Sequence, residues 1–332
     1  MRHLTVMEYG HFLGCQGERL QVKGNDGLIA ETPLSRLRSV TIAKRGVSFS
    51  SNLLLECASR GIRFFIADWR GRNVVALSGT HQHAVSALRR AQFEFIETPQ
   101  ARSVAAQMQF GKVRNQRAVL LYFSKYSRLK SSDSVRLLAT AADKIAECSR
   151  ALSSIDFSRR DSWREEILGY EGAAASIYWR ALAAAQLVPD SFVERQGRGA
   201  TEVTNQLLNY GYSLLTTYVW SALDNAGFEL YCGILHAQRP GKPSLVLDFM
   251  EEYRPWVVDR CVIKLRQQLK NKCRMDTSLK RKLTEDIQYT MSKPYAYNGK
   301  RLRLESILQR QAYRLGGVMV EDKTYRPYRF RW

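Results

Sequence analysis

The hydrophobic period changes once along this chain, near Ala101, and that change limits what the chain can fold into. Before it, short runs rich in β-branched and aromatic residues recur with turn signals between them: residues 4–7, 19–22, 28–31 and 39–43. Asn25-Asp26-Gly27 links the second and third as a hairpin. Ser50 or Ser51 caps a short helix over residues 52–59, and Gly61 stops it. Residues 62–66 then read as a buried strand, and Arg70-Gly71-Arg72 turns the chain into residues 74–77. After Ala101 apolar residues recur with period 3.6 in long Ala-, Leu- and Arg-bearing stretches. The pattern predicts an α+β protein of two domains. A small β-rich domain covers residues 1–90, a linker residues 91–104, and a larger all-α domain residues 105–332. No catalytic constellation falls in the first domain: His81 and His83 lack a nearby carboxylate, and Arg89 and Arg90 fit a solvated face. Its expected role is therefore assembly, as a scaffold or dimerisation surface.

Residues 105–127 and 132–152 read as helices. A further helix over residues 162–186 opens on Ser162-Trp163-Arg164-Glu165, which has the form of a capping box. Its apolar stripe runs Trp163, Ile167, Ala174, Tyr178, Leu182, and Glu171 falls on that stripe. A carboxylate on a core-facing side needs a partner, either a structural ion pair or a bound cation. The small residues Gly172, Ala173, Ala174 and Ala175 would let another element approach closely.

Residues 233–255, GILHAQRPGKPSLVLDFMEEYRP, carry His236 and then, across a Pro/Gly turn, Asp248, Glu251 and Glu252. Asp248 and Glu251 are three apart, so a helix would stack them on one face, among apolar neighbours. Buried carboxylates are costly unless paired or coordinating. An imidazole brought near them by the turn would complete a hard N/O donor set, suited to Mg²⁺ or Mn²⁺ rather than a thiolate zinc site. A core histidine beside a helix with a solvated acidic edge accounts for the same residues.

The chain has 51 Lys and Arg against 31 Asp and Glu, a net charge of +20. Such an excess favours a polyanion, and nucleic acid is the default partner. No run approaches the apolar length of a membrane span, and the N-terminus has no apolar signal region. Six scattered cysteines without a CxxC pair argue against zinc knuckles and disulfides, and for a reducing cytoplasm. Candidate DNA contacts are Arg195 and Arg198 in a loop, then Asn205 and Tyr212 in a helix over residues 202–220. Packing accounts equally for the Asn and Tyr residues there, and better for Tyr210. A basic amphipathic helix over residues 257–274 offers Lys264, Arg266 and Lys270 as a backbone track. The tail, Tyr325-Arg326-Pro327-Tyr328-Arg329-Phe330-Arg331-Trp332, interleaves cations with aromatics, fit to stack on unpaired bases or to dock on a protein.

Three separated blocks in order resemble the CRISPR adaptation integrase, the first CRISPR-associated protein. They are the helix Glu171-Gly172-Ala173-Ala174-Ala175-Ser176-Ile177-Tyr178, the signature from Glu202 through Asn205, Asn209 and Tyr210 to Tyr212, and Gly-x-x-His…Asp-x-x-Glu-Glu-x-Arg-Pro over residues 233–255. Thr32-Pro33-Leu34, the helix start at Ser51 and Gly61-Ile62 extend the resemblance over nearly the whole chain. Glu202 departs from the family's usual Asp. The resemblance implies a dimerising N-terminal β-domain and a C-terminal helical domain holding the site. It implies Glu171, His236 and Glu251 as catalytic metal ligands for Mg²⁺ or Mn²⁺, with Asp248 beside them as an additional or outer ligand. The implied reaction is attack of a spacer DNA 3′-hydroxyl on a repeat-boundary phosphodiester of a CRISPR array. The implied partners are double-stranded DNA, a second copy of the chain, and the small ferredoxin-like second CRISPR-associated protein. A structure-selective metal-dependent nuclease without integration is one rival reading; a non-catalytic DNA-binding scaffold is another.

Overall fold

A computed structural model describes the chain except residues 1, 69–72, 78–84, 127–131, 158–161, 198, 238, 271, 273, 322 and 332. The N-terminal region holds β1 (Arg2–Val6), β2 (Phe12–Gln16), β3 (Arg19–Gly24), β4 (Gly27–Pro33), β5 (Leu37–Ile42), β6 (Ser48–Phe49), α1 (Ser51–Ser59), β7 (Arg63–Ala67) and β8 (Asn73–Leu77). Gly24 pairs with Gly27 where β3 turns into β4. Gly27 has a φ of 107°, which explains a glycine at that corner. Ser50 caps α1 by accepting from the Leu53 amide at 3.2 Å. The strands form two four-stranded sheets in the orders β1-β5-β7-β8 and β4-β3-β2-β6. Their shared core is Val6, Leu13, Leu20, Val22, Val40, Leu53 and Phe64 with their neighbours. β4 is the outer strand of its sheet and leaves Leu28 and Ile29 each 56% exposed.

The remainder is mostly helical: α2 (Val85–Phe95), α3 (Pro99–Tyr126), α4 (Ser132–Ser153), α5 (Trp163–Ala184), α6 (Val203–Ala226), α7 (Ser244–Met250), α8 (Arg260–Lys264), α9 (Arg266–Leu269), α10 (Thr277–Ser292) and α11 (Leu304–Glu321). An antiparallel hairpin, β9 (Pro294–Tyr297) and β10 (Lys300–Arg303), interrupts it, so this region is not purely α. Asn298 and Gly299 both have positive φ at its turn, as a two-residue hairpin requires. The long helices share one continuous core. Arg63 of β7 reaches across to α6, pairing with Asp224 at 2.5 Å and donating to Asn225 at 3.0 Å.

Several expectations need correction. Residues 91–104, expected as a linker, are largely helical, belonging to the end of α2 and the start of α3. Ser162 does not close a capping box: its φ of 67° gives no side-chain cap, and Glu165 and Glu166 instead put acid in the first turn of α5. The expected basic helix over residues 257–274 is broken. Pro255 lacks an amide hydrogen, the stretch Pro255–Asp259 winds as a π turn, and α8 and α9 follow as separate short helices. The Arg70-Gly71-Arg72 turn, His81 and His83 lie outside the described residues. Among the described residues no helix is long and apolar enough to cross a membrane.

Candidate active site

Glu171 stands on the buried stripe of α5, with Ile167, Ala174, Tyr178 and Leu182 fully or almost fully buried around it. Its partner is a lysine on α3. Lys112 Nζ lies 2.6 Å from Glu171 Oε1 and 2.7 Å from Glu251 Oε2, so one ammonium joins two carboxylates from distant parts of the chain. Burial works against its charge, but Glu251 and Glu171 reverse that and raise the Lys112 pKa. Gly172 and Ala173 are exposed, and a Cβ on Gly172 would meet nothing within 4 Å, so the small residues do not admit a neighbouring element there.

His236 is set by Asp248. The Asp248 carboxylate, at the end of α7, accepts the backbone amides of Ile234 (2.6 Å), Leu235 (3.0 Å) and His236 (3.0 Å). It also meets His236 Nδ1 at 2.5 Å. A side chain on Gly233 would lie within 2.8 Å of Asp248 and Ser244, so the loop can fold this tightly only with glycine there. Arg164 at the start of α5 donates to the Ile234 carbonyl at 3.1 Å and ties the loop to the Glu171 helix. With Nδ1 committed to Asp248, the half-buried imidazole keeps Nε2 for a ligand. Asp248 and Glu251 are thus not a stacked ligand pair. Helix α7 ends at Met250, and the two carboxylates serve different partners. Asp248, expected as an additional or an outer ligand, has both oxygens engaged in positioning the histidine loop, which fits the outer role.

Glu251 and Glu252 are both almost fully buried and have opposite fates. Burial would raise the Glu251 pKa, but Arg254, which ion-pairs with Oε1, and Lys112 hold it at about 2. Burial pushes Glu252 up to about 8, despite hydrogen bonds from Tyr325 and Tyr328. Glu251 Oε2 lies within ion-pair distance of Lys112 yet has no aligned hydrogen-bond donor.

Lys112, Glu171, Arg180, Arg195, Tyr212, Arg254 and Asp259 line a cleft of about 830 Å³. Arg195 and Arg254 lie over the Tyr212 ring at 5.1 and 5.0 Å, and the Tyr212 hydroxyl donates to Asp259 Oδ1 at 2.6 Å. Burial raises Asp259 to about 6, against the Tyr212 hydrogen bond and the surrounding cations. Asn205 and Asn209 hold Arg195 at 3.0 and 2.5 Å, and Asn205 also anchors the loop through the Gln196 amide and the Glu194 carbonyl. Asn205, expected to meet DNA, is 1% exposed and acts as a bracket for Arg195. Glu202 caps α6, its carboxylate accepting from the Thr204 and Asn205 amides at 2.8 and 2.7 Å.

Of the other expected DNA contacts, Arg198 lies outside the described residues. Lys264, Arg266 and Lys270 do not line this cleft. Lys264 sits over the Tyr122 ring at 5.5 Å, in a separate groove with Lys293, Arg301 and Arg331. The tail does not wave free for base stacking. Tyr325, Tyr328 and Phe330 are buried against the helical body, and Arg326, Arg329 and Arg331 face solvent. Reading the sequence alone missed Lys112, Arg180, Arg254 and Asp259. A lysine on a face shared with Met108, Asn115, Gln116 and Val119, all buried, was the signal for the first. The spacing Glu251 to Arg254, one helical turn, was the signal for the third.

Two carboxylates gathered on one cation, a buried oxygen without an aligned donor, and an imidazole with one nitrogen in reserve suit a hard divalent ion. Among the described residues no three His, Cys, Asp or Glu side chains are drawn together tightly enough to hold a metal as they stand, and the Lys112 ammonium occupies the space between Glu171 and Glu251.

The fold is shared with solved structures of a casposase and of CAS1 proteins. A casposase bound to integration product superposes with a TM-score of 0.76 at 21% identity, over 98% of this chain and 93% of that one. A CAS1 protein from Thermotoga maritima gives 0.76 at 17% identity, over 98% and 99%. The family description CRISPR associated protein Cas1 fits residues 4–289, and the chain belongs to the Cas1 family. A relative from Francisella tularensis subsp. novicida (strain U112), the CRISPR-associated endonuclease Cas1 1, is 46% identical over all 332 residues and the full length of both chains.

Proposed function

We propose that this chain is a metal-dependent endonuclease and integrase that inserts spacer DNA into a CRISPR array. The observation that carries the reading is the convergence of Glu171 and Glu251 on one cationic position at the edge of a basic cleft, with the His236 loop tied to the Glu171 helix through Arg164. Glu171, Glu251 and His236 Nε2 would hold Mg²⁺ or Mn²⁺, and Asp248 would keep the imidazole turned toward it. Bound there, the ion supplies Lewis-acid polarisation of the scissile phosphodiester attacked by the spacer 3′-hydroxyl. Arg180, Arg195 and Arg254 line the cleft with positive charge for the DNA backbone. Tyr212, braced by Asp259, fixes Arg195 and Arg254 so that neither must be ordered when DNA arrives.

The named relatives support the reaction class, since one is called an endonuclease and a structural neighbour holds an integration product. Another neighbour, the Cas6-RT-Cas1--Cas2 complex, has a TM-score of 0.77 at 21% identity over 98% of this chain and 36% of that one. It supports Cas2 as a partner here. The exposed edge strand β4, with Leu28 and Ile29 uncovered, supports a homodimer through residues 1–90. The protein is expected in the cytoplasm, where the array lies. The test is strand transfer of a labelled spacer duplex into a supercoiled array plasmid, with and without Mn²⁺. Joined product with Mn²⁺ supports integration; cleavage without joining would favour the plain nuclease, and binding without either the scaffold.

A further inference from the structure

We propose that residues 325–330 are a positioning strap for the active-site turn, holding Glu251 in place from behind through Glu252 and Asn115. Glu252 turns away from the cleft. Its carboxylate accepts the Tyr325 hydroxyl on Oε1 and the Tyr328 amide on Oε2, at 2.7 Å for the latter. Asn115 closes the same joint from α3. Its amide group donates to the Glu252 carbonyl at 2.6 Å and the Tyr328 carbonyl at 2.9 Å, and its oxygen accepts the Phe330 amide at 3.0 Å.

The joint is packed as well as bonded. Tyr328 stacks on Tyr253 at 6.4 Å and Phe330 on Trp256 at 5.2 Å, so the aromatic residues flanking Arg254 are covered by the strap. A Cβ on Gly111 would come within 2.7 Å of Pro327 and 3.0 Å of Glu252, which leaves α3 and the strap no slack. Lys112 and Asn115 are three apart on α3, hence on one face. One binds Glu251 in the cleft and the other binds Glu252 and the strap behind it. The Glu251 position is therefore set from both sides, and the strap donates a hydrogen bond to each oxygen of the Glu252 carboxylate.

Residues that hold a ligand through a second group contribute to affinity and rate without touching substrate. This inference rests on the functional reading above. The experiment compares the full chain with Tyr325→Phe, with a chain ending at Thr324, and with Arg329→Ala as an exposed control. Three quantities are read for each: the thermal midpoint, Mn²⁺ binding by titration of the free ion's paramagnetic signal, and kcat and KM for DNA cleavage. For Tyr325→Phe we expect Mn²⁺ affinity and kcat to fall about tenfold or more with KM for DNA unchanged, as for other groups that orient ligands. The shortened chain should lose more, and a peptide of residues 323–332 added back should restore part of it.

Mn²⁺ affinity and kcat of folded Tyr325→Phe within about twofold of the full chain would overturn the strap as a positioning element, since orienting groups are worth more than that. So would loss of kcat with Mn²⁺ affinity intact. If the shortened chain does not fold, Tyr325→Phe alone decides. If the unaltered chain binds no Mn²⁺, the metal-dependent reading fails first, and the two failures are thereby told apart.

Discussion

His236 Nδ1 lies 2.5 Å from Asp248 Oδ1, and the same carboxylate gathers the three backbone amides of residues 234–236. One side chain thus fixes both the path of the loop and the rotation of the ring. Asp248→Asn puts an NH₂ group where an acceptor is needed, so at least one amide loses its partner. We expect this variant to lose about 10- to 100-fold in Mn²⁺ affinity, the usual range for an outer partner of a ligating histidine. DNA binding should hold, because Asp248 is 1% exposed and does not line the cleft. Parallel titrations with Mn²⁺ and with a DNA duplex check both halves.

Lys112→Met removes the cation shared by Glu171 and Glu251 and leaves two carboxylates facing each other in a largely buried place. Breaking a buried pair from one side costs about 3–5 kcal/mol, although Arg254 still pairs with Glu251 and lessens the loss. A divalent ion should then stabilise Lys112→Met more than the unaltered chain, since it no longer competes with an ammonium. Thermal melting with and without Mn²⁺ measures that difference. Equal shifts in the two proteins would count against a metal between these carboxylates.

Chemistry and binding should separate by mutation. His236→Ala should abolish strand transfer and leave DNA affinity nearly intact. Arg195→Ala and Arg254→Ala should weaken binding at every sequence, and the salt slope should fall by about 0.9 for each duplex phosphate no longer neutralised. Lys264, Arg266 and Lys270 lie outside the cleft, so their triple alanine variant should keep its rate at saturating DNA. Binding measured against log salt, beside single-turnover rates, checks each claim.

A pH effect on stability should arise far from the site, at His3. Its ring lies 3.8 Å from Tyr218, and Nδ1 is 2.7 Å from Ser39 Oγ. Burial, helped by the Arg38 charge, takes its pKa down to about 3; Glu305, 3.7 Å away, is itself raised by burial and does not reverse this. The unfolded chain therefore takes up a proton below about pH 6.5, where the folded chain does not until about pH 3. The stability His3 contributes is present above pH 6.5 and falls as pH drops toward 3. His3→Gln should flatten that part of the profile, as denaturant melts at several pH values would show.

Much of this architecture could be read from the chain because its local signals agree with its tertiary packing. The Asp26-Gly27 corner, the Ser50 cap and the stripe carrying Glu171 are each decided within a few residues, and each recurs in the structure. What escaped is set by partners distant in sequence. Lys112 acquires its role only when α3 is laid against α5 and the Glu251 turn, 59 residues and more away. Asp248 looked like an inner or an outer ligand because its spacing to Glu251 is helical, but spacing does not reveal that its oxygens take the amides of residues 234–236. The tail's role stayed open for the opposite reason. Its alternation of cations and aromatics describes an extended segment with one buried face as well as a nucleic-acid contact, and the burial of Tyr325, Tyr328 and Phe330 shows the former.

Asn115 and the Phe330 amide meet across 215 positions of chain. At synthesis rates of about 5–20 residues per second, roughly ten to forty seconds separate the translation of these two residues. In the last part of that interval the α3 face, the Glu171 helix and the Glu251 turn all exist as polypeptide, but residues 325–330, which back the turn, do not. Until residues 325–330 have been made, the nascent chain has its acidic groups without the strap proposed to hold them.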